Sequence, residues 1–177
     1  TQSRGLGDVY KRQILNTTAF LPPGGKKIPL RLWVIRQLTW LATPAVLGLN
    51  LFSRGAIYMA SSKGLSNDAR KGLTAPYNTW QNRIATLKFV QDIPVFPKDD
   101  AYSIVKHADQ HLDGLGKIPM LILWGEKDFV FDMDYLAEWR RRFPSAEAQT
   151  FANAGHYVLE DEPEAVIRKI GAFINKR

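Results

Sequence analysis

An aspartate and a histidine in the second half of the chain have the types and the spacing of a catalytic pair. Asp128 follows the apolar run 120–123, and His156 follows a second short run at 149–151. A carboxylate that hydrogen-bonds one imidazole nitrogen fixes the tautomer of the ring and leaves the other nitrogen free as a general base. The two residues would supply two of the three groups of a nucleophile, base and acid triad.

The segments around this pair predict a parallel sheet that brings both residues to one edge. An apolar run without polar alternation is typical of a strand that helices cover on both faces, so we predict strands at 120–123 and 149–151 with a helix over 133–142 between them. Open α/β sheets bind ligands at the carboxyl ends of their strands. Each residue by itself has an ordinary explanation, as a turn residue, a helix cap or a structural histidine. Only the two together favour catalysis.

The nucleophile of such a triad cannot be assigned to any residue of the chain. It lies on a sharp strand-to-helix turn of the pattern G-x-S-x-G, or on the same turn with Asp in the middle. Neither pattern occurs from Thr1 to Arg177. We therefore expect the chain to be the C-terminal part of a longer enzyme, whose front half would identify the chemistry.

Two motifs resemble the last two catalytic loops of the α/β-hydrolase superfamily. They are Trp-Gly-Glu-Lys-Asp at 124–128 and Ala-Gly-His-Tyr-Val-Leu-Glu-Asp-Glu-Pro at 154–163. The resemblance makes Asp128 the acid and His156 the base. It implies an α/β fold, namely the C-terminal part of an α/β-hydrolase fold, with parallel strands and flanking helices, plus an inserted helical cap.

Three other acidic residues lie near the first of these loops: Glu126, Asp132 and Asp134. The superfamily pattern Trp-Gly-Glu-x-Asp favours Asp128, and Asp132 and Asp134 lie where they can cap the following helix. We predict that only one of the four acids contacts His156, and that it is Asp128.

Three further segments, 16–20, 75–80 and 82–94, resemble the haloalkane-dehalogenase-like branch of the superfamily, closest to the β-lactone decarboxylases of bacterial olefin biosynthesis. The nucleophile of that branch is an aspartate. The resemblance implies that this carboxylate attacks a small hydrophobic alkyl or acyl substrate, either displacing a halide or opening a β-lactone. It also implies enzymes of a biosynthetic complex as candidate partners. The alternatives are a Ser-nucleophile esterase or lipase-like hydrolase and a non-catalytic interaction protein on the same scaffold.

The sequence divides into a tail, a core and a cap. Residues 1–13 have neither strand alternation nor a helical stripe, and they lack the apolar stretch of a secretion signal. Residues 7–13 within this stretch resemble a translated sequencing adaptor, so we interpret residues 1–13 as a non-native tail. Residues 14–21 and 93–177 are assigned to the hydrolase core, and residues 22–92 to the helical cap.

Within the cap, apolar residues at helical spacing predict four helices. The first includes Leu30 and is interrupted at Pro44, and the second spans 46–60. Ser66 and Thr79 are expected to cap the third and the fourth. The apolar residues of these helices either pack against the sheet or line a cleft for an alkyl or acyl chain, because both roles need the same residue types.

Composition excludes several kinds of site. The 177 residues include no cysteine, which excludes disulfides and thiol chemistry and fits a cytoplasmic enzyme. His107 and His111 lie four residues apart, but without an intervening Glu or a third ligand they indicate a solvated helix face, so no metal or cofactor is expected. The net charge of +7 is concentrated in residues 14–116, yet no nucleic-acid-binding motif accompanies it. No run is long and apolar enough to span a membrane.

The 177-residue chain is expected to be inactive on its own, because it carries a base and an acid but no nucleophile. Assays of the purified chain with haloalkanes, p-nitrophenyl esters and β-lactones test this prediction. Turnover that disappears in His156→Ala would contradict it, since a nucleophile would then have to lie within the chain.

Overall fold

Three parallel strands form the sheet of the computed structural model, which describes residues 10–176. β1 (Arg12–Leu15), β2 (Met120–Gly125) and β3 (Glu147–Phe151) lie side by side in that order, with β2 in the centre. The two predicted strands are confirmed, and β2 is two residues longer at its carboxyl end than predicted. Because the strands are parallel, the loops that follow all three lie at the same edge of the sheet.

The predicted tail falls mostly outside the described residues. Residues 1–9 are not described, whereas Arg12 and Gln13 form the first half of β1 and pair with the start of β2. The first strand therefore begins two residues before Ile14, where the sequence placed the start of the core.

β2 separates two apolar clusters, one on each face of the sheet. Successive side chains of a strand point to opposite faces, so Ile122 and Trp124 belong to one cluster and Leu121 and Leu123 to the other. All four side chains are buried. Burial of such a side chain contributes about 1.5–3 kcal/mol, which explains why this part of the strand contains no polar residue.

Helices of the C-terminal half cover both faces. On the first face, α7 (Met133–Arg142) has the predicted bounds and packs Trp139 into the cluster. On the second face, α8 (Val158–Asp161) and α9 (Pro163–Asn175) contribute side chains that include Phe173. The sheet is thus enclosed on the two sides predicted from its apolar central strand.

Residues 23–91 form a set of short helices, here called the helical segment, which coincides with most of the predicted cap. Its elements are a 3₁₀ turn (Pro23–Gly25), α1 (Leu30–Gln37), α2 (Thr39–Thr43), a π-helical turn (Pro44–Gly48), α3 (Leu51–Met59), α4 (Asn67–Thr74), a second 3₁₀ turn (Ala75–Tyr77) and α5 (Trp80–Gln91). α6 (Tyr102–His111) and a 3₁₀ turn (Leu112–Leu115) then lead to β2. Within residues 10–176, none of the helices has the length and apolar character needed to cross a bilayer.

The predicted second helix of the cap, 46–60, is wrong as a continuous element. The π-helical turn Pro44–Gly48 ends before Asn50, whose φ of 54° lies in the left-handed region, and α3 starts at the next residue. Asparagine adopts this conformation more readily than most residues, and the Asn50 side chain donates a hydrogen bond to the carbonyl of Tyr77 at 3.1 Å. The apolar residues keep helical spacing through the break, so the sequence pattern did not reveal the break.

Both predicted N-caps are confirmed. The Ser66 hydroxyl accepts a hydrogen bond from the backbone N–H of Ala69 at 3.1 Å, and the Thr79 hydroxyl accepts one from Asn82 at 3.2 Å. Such caps satisfy N–H groups that the first turn of a helix leaves without partners.

The unpaired outer edge of β1 leads us to expect self-association of the isolated chain. Among residues 10–176, no strand pairs with the outer edge of β1, and a free edge is a template for pairing with another chain. We expect oligomers or aggregates in size-exclusion chromatography with light scattering. The backbone N–H of Arg12 donates to Pro119, the residue before β2, so the N–H of the next residue, Gln13, points to the outer edge. Gln13→Pro removes that N–H and should reduce the association. A monomer with a cooperative melt would contradict this prediction.

Candidate active site

The two predicted site residues lie in contact at the edge where the strands end. Asp128 follows β2 and His156 follows β3, and Nδ1 of His156 lies 2.8 Å from Oδ2 of Asp128. The Asp128 side chain is fully buried, whereas 29% of the His156 side chain is exposed. The structure therefore brings together an enclosed carboxylate and an imidazole that other molecules can reach.

The contacts of Asp128 orient the imidazole. Its Oδ1 accepts a hydrogen bond from the backbone N–H of Val130 at 2.7 Å, and its Oδ2 accepts from Asn16 Nδ2 at 2.9 Å. A carboxylate held in this way accepts from Nδ1 of His156, so Nδ1 carries the proton in the neutral ring. Among residues 10–176, no hydrogen-bond partner occupies the other ring nitrogen, Nε2, which is then free to accept a proton.

Asn16 is a site residue that sequence reasoning missed. It follows β1, is 3% exposed and has a left-handed φ of 35°. Its amide nitrogen donates to Asp128 and to the carbonyl of Gly125 at 3.2 Å, and its amide oxygen accepts from the N–H of Gly125 at 2.8 Å. The available signals were its place directly after a strand at the same sheet edge and its position as the first residue of segment 16–20, one of the segments that resemble the dehalogenase-like branch.

Gly125 allows the loops after β2 and β3 to approach closely. A Cβ at this residue would lie 2.3 Å from the carbonyl oxygen of Gly155 and 2.7 Å from that of Ala154. The approach is fixed by hydrogen bonds between the loops, one of which runs from the N–H of Lys127 to Ala154 at 2.9 Å. No side chain fits between these backbones, so a glycine is required for the Asp128 and His156 loops to meet.

Asp161 is a second residue that sequence reasoning missed. This buried carboxylate accepts four hydrogen bonds at 2.6–3.1 Å: from the N–H of Gly155, the hydroxyl of Ser61, and the N–H groups of Ser62 and Lys63. Burial favours a higher pKa for Asp161, but these four donors outweigh it and hold the pKa below its ordinary value. Asp161 thus joins the His156 loop to the residues between α3 and α4.

The remaining acids have other contacts. Asp132 is the N-cap of α7 and accepts a hydrogen bond from the N–H of Asp134 at 3.2 Å, which confirms its predicted capping role. Both carboxylates also pair with Lys26. Glu126 is exposed. Among these acids only Asp128 contacts His156.

The other two histidines lie apart from this site. His107 and His111 are on α6, with ring centroids 4.0 Å apart and exposed side chains. The described part of the chain, residues 10–176, contains no group of three or more His, Cys, Asp or Glu residues placed to hold a metal ion.

His156 lines an apolar cavity of about 850 Å³ between the sheet edge and the helical segment. Its wall includes Asn16, Phe20, Leu32, Ile93 and Val130. A cavity of this size is in the range that binds small molecules, and an apolar wall with few polar groups suits a hydrophobic ligand. The arrangement can therefore present a general base to an apolar substrate.

Known proteins are similar to this chain in sequence and in fold. A family model described as alpha/beta hydrolase fold matches residues 35–163. The chain is 44% identical over 164 residues to the cis-3-alkyl-4-alkyloxetan-2-one decarboxylase of Shewanella oneidensis, a match covering 92% of this chain and 51% of that protein. It is 38% identical over 169 residues to the protein of the same name from Xanthomonas campestris, covering 95% of this chain and 56% of the relative. The chain thus spans about half the length of these relatives.

A solved structure has a similar fold at low identity. A loop variant of the haloalkane dehalogenase DbeA from Bradyrhizobium elkanii superposes with a TM-score of 0.72 at 21% identity. The match covers 82% of this chain and 48% of the dehalogenase. At this identity the similarity concerns the fold.

Asp161→Asn should destabilise the protein that contains this chain, tested in the longer form expected from the sequence. The new amide nitrogen would face N–H or O–H donors, so at pH 7 we expect a loss of about 2 kcal/mol or more, measured by urea unfolding. The exposed neighbour variant Glu160→Gln is the control and should change stability by less than about 0.5 kcal/mol.

The pH dependence follows from the lowered pKa of Asp161. Its stabilising contribution is present above the ordinary value of 3.8 and is lost as the pH falls below that value toward the folded-state pKa. The stability difference between the wild type and Asp161→Asn should therefore shrink in acid. A difference that stays constant from pH 7 to pH 3 would contradict this assignment.

Proposed function

Because this chain belongs to the α/β-hydrolase fold family, we propose that it supplies the base and the acid of a longer enzyme that opens a β-lactone and releases carbon dioxide. The proposal rests above all on one observation: His156, which contacts the buried Asp128, lines a large apolar cavity. The identity of 44% to a protein named as an oxetan-2-one decarboxylase supports the choice of substrate class. An oxetan-2-one is a β-lactone, and its alkyl groups suit an apolar wall.

The proposed nucleophile is an aspartate carried by the longer protein, as the resemblance to the dehalogenase-like branch implies. Its carboxylate attacks the saturated ring carbon bonded to the ring oxygen, not the carbonyl carbon, and breaks that carbon–oxygen bond, which releases the substrate carboxylate. The bond between the neighbouring carbon and the freed substrate carboxylate then breaks, and its electrons form a carbon–carbon double bond. Carbon dioxide leaves, and the enzyme carboxylate is released from the carbon that it had attacked. The products are an alkene and carbon dioxide, and no water is consumed.

In this scheme, His156 and Asp128 control charge and protons beside the reacting ring. Asp128 holds the imidazole through Nδ1, so Nε2 is directed to the space where the substrate carboxylate is released. An imidazole that has taken up a proton from solvent at Nε2 would pair there with the developing negative charge, and the buried carboxylate behind it would stabilise that form during the reaction. In halide displacement, the same nitrogen would instead activate water to hydrolyse the enzyme ester.

Asp128→Asn should lower kcat by at least about 100-fold in the full-length protein, because a neutral amide would not stabilise the protonated form of His156 on which this scheme depends. The measurement is alkene and carbon dioxide formation from a cis-dialkyl β-lactone, followed by gas chromatography and mass spectrometry. Asp132→Asn is the matched control. It keeps an N-cap side chain on α7 but loses the charge pair with Lys26, so it should cost at most about 1 kcal/mol of stability with little effect on kcat.

Each outcome separates the candidate functions. Activity lost in Asp132→Asn but kept in Asp128→Asn would move the acid to Asp132 and overturn the site. Hydrolysis of haloalkanes or p-nitrophenyl esters without alkene formation would replace the lactone proposal by a dehalogenase or a Ser-nucleophile esterase. A full-length protein that turns over none of these substrates would favour the non-catalytic interaction protein.

A further inference from the structure

A second apolar cavity, of about 330 Å³, also reaches His156. It lies inside the helical segment, between α1, the π-helical turn and α3, and its wall includes Ala45, Ala56 and Phe129. The cavity of about 850 Å³ lies on the other side, where α6 and the loop after β1 contribute to the wall. Two separate apolar spaces thus begin at one imidazole.

Four residues line both cavities and form the partition between them: Leu32, Val130, His156 and Tyr157. Three of the four side chains are apolar or aromatic, and the fourth is the proposed base. A reacting group at Nε2 of His156 therefore lies at the junction of the two cavities.

We propose that the two cavities bind the two alkyl arms of one β-lactone, with the ring held at the junction beside His156. This inference rests on the proposed function and deepens it by assigning the arms. In a cis-3,4-dialkyl β-lactone the arms leave adjacent ring carbons on the same face, so they need two apolar spaces that start at one point. A substrate with a single alkyl chain would need only one.

The unequal volumes give the inference a measurable consequence. Each methylene that leaves water contributes about a fourfold gain in affinity, but only while the cavity has room for it. The smaller cavity fills first, because close-packed walls resist further methylenes. Activity should therefore rise over a longer range of chain lengths for one arm than for the other.

The test uses the full-length protein and two series of cis-β-lactones, each lengthening one arm while the other stays short. Ala56→Leu narrows the smaller cavity from α3, and Ala108→Leu narrows the larger one from α6. Each variant should lower kcat/KM by at least tenfold for the longest substrates of one series and leave the other series unchanged. The series affected by Ala56→Leu should differ from the series affected by Ala108→Leu. Ala137→Leu, on the exposed side of α7 and outside both cavities, is the matched control and should leave the ratio of the two series unchanged.

The outcomes distinguish the two levels of the proposal. If β-lactones are turned over but both narrowing variants affect the same series, or neither variant affects any series, the assignment of arms to cavities is wrong while the proposed function stands. If the parent protein forms no alkene from any β-lactone, the proposed function itself fails. Thermal melts identify a variant that does not fold, and Ala45→Val then replaces Ala56→Leu, since Ala45 lines the same cavity.

Discussion

The close contact between the loops after β2 and β3 is the constraint on which the site depends. At Gly125 the two backbones leave no room for even a methyl group. Gly155 is in a similar position on the other side, where a Cβ would lie 2.7 Å from the carbonyl oxygen of Ala60. Three layers of backbone, from the β2 loop through the β3 loop to the end of α3, are therefore stacked too closely for a side chain at either glycine. The distance between Asp128 and His156 is a result of that stacking.

Two buried polar side chains keep this stack in register. Asn16 is bonded to both backbone groups of Gly125 and to the acid, and Asp161 is bonded to the residue before the base. Neither side chain touches Nε2 of His156 within hydrogen-bond distance. All polar side-chain atoms of Asn16 and Asp161 have hydrogen-bond partners in this arrangement. A shift of the loops would leave a buried donor or acceptor without a partner, which costs about 1–3 kcal/mol. The proposed chemistry thus depends on residues that would not take part in it.

The sequence predicted the parts of the structure that depend on local pattern. The apolar run at 120–123, the bounds of α7 and the N-caps at Ser66 and Thr79 each follow from a short stretch of residue types. It also predicted the pairing of Asp128 with His156, because two strand ends must share an edge. The break at Asn50 was missed, since apolar spacing does not register a single left-handed residue. Asn16 and Asp161 were missed because their roles come from partners about 100 residues away in the chain.

The attachment of the helical segment to the His156 loop has a mechanical consequence. The N–H of Tyr157 donates to the carbonyl of Ala60 at 2.9 Å, and Asp161 accepts from the three residues that follow Ala60. Separating the two segments would remove three of the four hydrogen-bond donors of the buried Asp161 carboxylate, which costs free energy. Residues 60–63 are therefore expected to keep their position relative to the His156 loop. A displacement of the more remote helices of the helical segment would then pivot about this attachment and leave His156 aligned with Asp128.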